Sequence, residues 1–150
     1  MSAGAELPYV DELSVEIAAG AGVVWEALLR AAEAPFRSPL SARAAGLLGC
    51  ADREASGPRP LDAGSAFPGF RVARAEHASE LALRGRHRFS DYALTFRLDD
   101  LAGDRTRLRA ETRAAFPGLR GRAYRTLVIG TRLHVLATNR VLRAVQRRAA

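Results

Sequence analysis

The sequence predicts an α+β fold, and three observations carry that reading. One alternating strand opens the chain, a series of alternating segments divided by turn residues fills its middle, and a long amphipathic segment closes it with a period of about 3.6 residues. With 150 residues, 48% of them hydrophobic, the chain is expected to form one domain, residues 1–150, around one core.

In residues 10–18, Leu13, Val15 and Ile17 face one way, while Glu12, Ser14 and Glu16 face the other. That is the pattern of a half-buried strand. "AGAG" breaks it. "VVWEALLRAAE" then puts Val24, Trp25, Leu28 and Leu29 on one side of a helix, which Pro35 ends. Alanine and leucine favour a second short helix from about Arg37 to Leu48. Glycine and proline cluster over residues 53–69, which read as a loop entering a strand.

An antiparallel meander is expected next, over 70–77, 80–90, 92–100 and 105–116, for about five strands in all. A two-residue turn at Ser90-Asp91 would pair Phe89 with Tyr92 and His87 with Leu94. The following "LAG" turn ends in Gly103, and three-residue hairpins favour glycine at that left-handed position. This register pairs Asp100 with Asp104, Phe96 with Leu108, Leu94 with Ala110 and Tyr92 with Thr112. "FPGLRG" introduces a long helix from about Arg122 to Arg148. Its inner stripe is Tyr124, Leu127, Val128, Thr131, Val135, Thr138, Leu142 and Val145, with His134 at the edge.

The net charge is +7, and all 23 basic residues are arginine, as a GC-rich genome would produce. Basic charge favours acidic partners in general. On the outward sheet face the expected register aligns Arg84, Arg97 and Arg107 across three strands, with Arg86, Thr95 and Arg109 beside them. Like charges facing one another destabilise a sheet, so such a row invites an anion, an acidic segment or carboxylates such as Asp99 and Glu111. That face has no aromatic side chain on which bases could stack, and nucleic acid is not expected as a partner. One cysteine, Cys50, allows no internal disulfide and fits a reducing cytoplasm. "MSAGAELPYVDEL" lacks the basic start of a signal peptide, and no apolar run is long enough for a transmembrane segment.

No Ser-His-Asp pattern, glycine-rich phosphate loop or dinucleotide fingerprint is visible, which argues against ordinary hydrolases, kinases and dehydrogenases. Neither a metal site nor a cofactor is expected, because Glu111 points outward with Arg109 and Arg113, away from the histidines. One residue breaks the alternation. In "LALRGRHRFSDYALTFRLDD", His87 shares the apolar face of Leu81, Leu83, Gly85 and Phe89, opposite Arg84, Arg86 and Arg88. A histidine so placed is either a core residue bonded to a neighbour, or a proton carrier or hydrogen-bond donor to a ligand.

The order of strand, two helices, meander and terminal helix resembles the helix-grip fold of the SRPBCC superfamily, which includes START domains, polyketide cyclases and pollen allergens. "AGVVWEALL" looks like that superfamily's opening. "AGSAFPGFRV", "LALRGRHRFSDYALTFRL" and "FPGLRGRAYRTLVIGTRLH" are similar to a bacterial branch of it with no settled activity. The resemblance implies a curved antiparallel sheet wrapped around the long C-terminal helix, with a cavity between them for an apolar or amphipathic small molecule. Here the sheet would offer His87, Phe89, Tyr92, Leu94, Phe96, Leu108, Ala110 and Thr112, and the helix Tyr124, Val128, Thr131, His134, Val135 and Thr138. Small residues such as Gly85, Ala110 and Ala114 would leave volume unfilled.

The leading expectation is therefore a binder of a lipid, polyketide or aromatic metabolite. The alternative is a cyclase or dehydratase-like enzyme with His87 as its proton carrier. A third is an interaction module that uses the arginine face, or the outward Ile129, Leu133 and Leu136, which suggest a homodimer.

Overall fold

The computed structural model describes residues 7–128 and 133–149. Strand β1 (Tyr9–Ile17) leads into helix α1 (Ala21–Ala31), a 3-10 turn (Ala34–Phe36) and helix α2 (Pro39–Leu48). Strands β2 (Ala66–Phe67), β3 (Phe70–Glu76), β4 (Glu80–His87), β5 (Ser90–Leu101) and β6 (Arg105–Ala115) follow, then helices α3 (Gly118–Val128) and α4 (Leu133–Ala149). The six strands form one antiparallel sheet in the order β1-β6-β5-β4-β3-β2. This is the helix-grip arrangement, a curved sheet against a C-terminal helix with two shorter helices after the first strand.

Local chemistry explains the helices before β2. In α1 the buried residues Val24, Trp25, Leu28 and Leu29 form the expected apolar face. The α2 helix starts at Pro39, behind Ser38, whose hydroxyl accepts the Ser41 N–H at 3.2 Å. It ends at Gly49, whose left-handed φ of 71° suits glycine. The far end of α2 is tied to the sheet: the Arg88 N–H donates to the Leu48 carbonyl at 3.0 Å, and the Ala51 N–H to the Arg86 carbonyl at 2.9 Å.

Three expectations change. First, the sheet has six strands. The glycine- and proline-rich stretch contains β2, a two-residue strand too short to show alternation, with Ala66 and Phe67 both buried. A buried carboxylate fixes this stretch: Arg59 donates to both oxygens of Glu33 at 2.9 Å.

Second, both hairpins turn elsewhere. The β4–β5 turn falls on Arg88 and Phe89, so Gly85 pairs with Tyr92 and His87 with Ser90, and Leu94 pairs with Leu83. The His87 ring stabilises this turn by accepting the Phe89 N–H at 3.1 Å. The β5–β6 loop is Ala102, Gly103 and Asp104, so Phe96 pairs with Ala110 and Leu98 with Leu108. Gly103 (φ 75°) and Asp104 (φ 56°) are both left-handed, and aspartate tolerates that region better than most residues.

Third, the corrected register removes the uniform arginine row. Arg97 now lies between Glu80 and Arg109. Salt bridges join Arg97 to Glu80 at 3.7 Å and to Glu111 at 3.5 Å, and Arg109 to Asp99 at 2.7 Å. Sheet arginines are thus largely matched by carboxylates.

The C-terminal segment is described as two helical stretches, with residues 129–132 outside the described part. In α4, Thr138, Leu142 and Val145 are buried at helical spacing, as expected, and Val141 is buried beside them. Leu127 of the expected inner stripe is instead 58% exposed. The core joins Val24 and Leu28 of α1, Leu142 and Val145 of α4, and Leu81, Phe96, Leu108 and Ala110 of the sheet.

Candidate functional site

Beside that core the sheet and helices do not close up. A cavity of about 400 Å³ remains between the β3–β6 part of the sheet, α2, α4 and the Tyr124 end of α3, within the range of small-molecule sites. Ala44, Ala45 and Leu48 of α2 line one side, and Thr138 and Val141 of α4 another. The sheet contributes His87, Tyr92, Leu94, Thr112 and Ala114. Among the described residues no arginine, aspartate or glutamate is on its wall.

Aromatic rings run along one side as a connected series. Phe36 meets Phe70 at a centroid distance of 5.3 Å, Phe70 meets Tyr92 at 5.3 Å, Tyr92 meets His87 at 5.4 Å, and His87 meets Tyr124 edge-on at 4.8 Å. The edge-on pairs among them, Phe70–Tyr92 and His87–Tyr124, favour fixed ring orientations. The position of Tyr92 depends on a glycine. A β-carbon at Gly85 would collide with the Tyr92 ring and the Gly69 carbonyl. Lacking one, Gly85 lets the ring lie across the neighbouring strand, where the hydroxyl donates to the Gly69 carbonyl at 2.6 Å. Gly85 therefore accommodates Tyr92 and does not leave an empty volume, contrary to expectation.

The ionisable groups on the wall are held uncharged by burial. Burial pushes His87 below its ordinary value, and the nearby Asp91 carboxylate opposes this only in part. Burial pushes Tyr92, Tyr124 and Cys50 upward. Cys50, buried, is consequently a thiol and a poor nucleophile.

Six of the sequence-predicted site residues are on this wall: His87, Tyr92, Leu94, Thr112, Tyr124 and Thr138. Phe89 stands behind it, stacked on Tyr124 at 5.6 Å. Phe96 and Leu108 are fully buried in the solid core. The corrected register pairs Phe96 with Ala110 and Leu108 with Leu98, among core residues that pack with α1 and α4. Val135 is half-buried and off the wall. Thr131 and the side chains of Val128 and His134 lie outside the described part.

Sequence reasoning missed the contribution of α2 and its flanks, namely Ala44, Ala45, Leu48, Cys50 and Phe36. The only available signal was the run "SARAAGLL", whose small residues leave one helix face shallow. Among the described residues no group of three or more His, Cys, Asp or Glu side chains could hold a metal ion. No described helix is long and apolar enough to cross a membrane.

No protein-family model and no curated protein sequence matches the chain. Solved structures do. A Streptomyces aromatase/cyclase superimposes with a TM-score of 0.61 at 18% identity, covering 97% of both chains. A truncated norcoclaurine synthase from Thalictrum flavum gives 0.59 at 12% identity, covering 95% of both. A conserved protein from Geobacillus kaustophilus gives 0.55 at 14% identity, covering 92% of this chain and 93% of the other. At these identities the likeness concerns the fold, which is the helix-grip fold of the SRPBCC and Bet v 1-like proteins.

Proposed function

We propose that this helix-grip domain, spanning residues 1–150, binds an uncharged apolar or amphipathic small molecule, of the lipid, polyketide or aromatic-metabolite kind, in the cavity between sheet and α4. One observation carries the reading: a cavity of about 400 Å³ whose wall is mostly apolar and aromatic, with no formally charged side chain among the described residues. A charged ligand would lose its hydration there without gaining a counter-ion, whereas an aromatic one would meet rings on one side and alanines on the other. That an aromatase/cyclase and a norcoclaurine synthase share the fold supports a ligand with rings.

Native mass spectrometry of protein purified from its own host tests this. The expected result is a co-purifying neutral molecule that is absent from Ala114→Leu, a substitution that fills the cavity from β6. A wild-type protein that is always free of ligand, and that also fails to bind methyl naphthyl ketone, would contradict it.

The reading places the protein in a reducing cytoplasm, where Cys50 stays a thiol. A homodimer belongs to the same proposal, because Leu136 of α4 is 59% exposed. Of the other residues expected in that contact, Ile129 and the side chain of Leu133 lie outside the described part. The interaction reading through the sheet arginines loses its basis with the corrected register, because carboxylates already engage Arg97 and Arg109. A cyclase or dehydratase-like activity is the second reading. It would need His87 to take up and release a proton, and the geometry of that ring bears directly on the point.

A further inference from the structure

We propose that His87 is locked as a hydrogen-bond donor and that, with Tyr124, it selects ligands carrying an uncharged acceptor oxygen such as a ketone, quinone or ester carbonyl. This rests on the cavity being the binding site, and it deepens that reading by naming the group recognised and the residues that recognise it.

The β4–β5 turn fixes the His87 ring. The Phe89 backbone N–H donates to Nδ1 of His87 at 3.1 Å. A neutral imidazole has one acceptor nitrogen and one N–H. With Nδ1 committed as acceptor, the proton sits on Nε2. The donor to Nδ1 is main chain in a two-residue turn, and the β4–β5 pairing on both sides holds it in place. The other tautomer would put an N–H against an N–H, and so would the imidazolium. His87 is therefore poorly suited to accept a proton at either nitrogen, and well suited to donate a hydrogen bond from Nε2.

What this donor meets is the cavity. His87 is on its wall, and no described residue accepts a hydrogen bond from Nε2. The Tyr124 ring lies 4.8 Å away, and its hydroxyl likewise has no hydrogen-bond partner among the described residues. By contrast, the Tyr92 hydroxyl proton is already given to the Gly69 carbonyl. Two uncommitted donors on neighbouring rings thus face a mostly apolar space, whose wall also carries the Thr112 hydroxyl. A buried donor left unpaired on ligand binding weakens that binding, so the site discriminates in favour of a ligand that supplies an acceptor. An anionic oxygen is disfavoured because no cationic side chain is on the wall among the described residues.

Two measurements test the proposal. A long-range proton–nitrogen NMR correlation on the unliganded protein reads the His87 tautomer directly. The expected pattern is a protonated Nε2 and a bare Nδ1. A protonated Nδ1, or a rapid mixture of tautomers, would overturn the lock. The second measurement compares methyl naphthyl ketone with isopropenyl naphthalene, a near-isosteric probe whose methylene group replaces the carbonyl oxygen. The ketone should bind at least about tenfold more tightly, the scale set by one unpaired buried donor. His87→Phe should narrow the gap between the two affinities, while its retained binding of the hydrocarbon shows an intact cavity. Equal affinities for the wild type would refute the donor role and leave the binding reading standing. If neither probe binds, the cavity reading fails and the ligand assignment falls with it.

Discussion

The same sheet meets its helices in two different ways. Under α1 and the C-terminal half of α4 the interior is solid: Phe96, Leu108, Leu81, Leu142 and Val145 are at most 2% exposed. Toward α2 and Tyr124 the interior is hollow, and its largest side chains are rings packed on one another, tilted or edge-on, around a space. Side-chain size accounts for the difference. In the solid half, leucines and valines from three elements interdigitate, as interiors normally do. In the hollow half, α2 presents alanines to the sheet, and the Tyr92 ring is folded down over Gly85. Close packing belongs to the first region, and the second holds the cavity.

Substitutions should separate the two regions. Phe96→Ala removes a fully buried ring from the solid half, and urea unfolding should show a loss of about 3–5 kcal/mol. A loss well below that would mean the solid half is not tightly packed. Gly85→Ala forces a methyl group against the Tyr92 ring and the Gly69 carbonyl, and should cost about 1–3 kcal/mol. The cost should shrink in a Tyr92→Ala background, where half of the clash is gone. An unchanged cost would remove Tyr92 from the explanation.

The pH dependence adds a subtler effect. Burial favours neutral His87 in the folded chain, so its folded pKa lies below the unfolded one. The unfolded state then binds more protons as pH falls below about 6.5, the ordinary imidazole value. The stability associated with this group is therefore present above that pH and is lost as pH drops toward the folded pKa. His87→Gln should flatten the wild-type decline over that window, as followed by thermal melts at successive pH values. A parallel decline in the variant would assign it to other groups. On the outer face, Arg97→Ala breaks two half-exposed ion pairs, and should cost less than about 1 kcal/mol.

Much of the solid half was legible in the sequence because periodicity reports which face a residue takes. Leu13, Val15, Ile17 and the α4 residues Leu142 and Val145 were placed correctly on that basis. Turn positions were not legible. Moving the partner of Phe96 from Leu108 to Ala110 shifts the pairing by two residues, and moving that of His87 from Leu94 to Ser90 shifts it by four. Even shifts leave every side chain on the same face, so alternation cannot tell such registers apart. The deciding signals were local: Asp104 accepting a left-handed backbone, and His87 capping its own turn. The hollow half was legible only in its sheet wall. The α2 wall is Ser41, Ala44, Ala45 and Leu48, whose mostly small side chains carry no periodic signal strong enough to mark a face.

Methyl NMR during titration with methyl naphthyl ketone tests the division most directly. The account predicts that shifts concentrate on the methyl groups of Ala44, Ala45, Leu48, Leu94, Ala114 and Thr138, while those of Leu81, Leu108, Leu142 and Val145 stay nearly still. Shifts spread evenly over both sets, or a titration that moves neither, would contradict it.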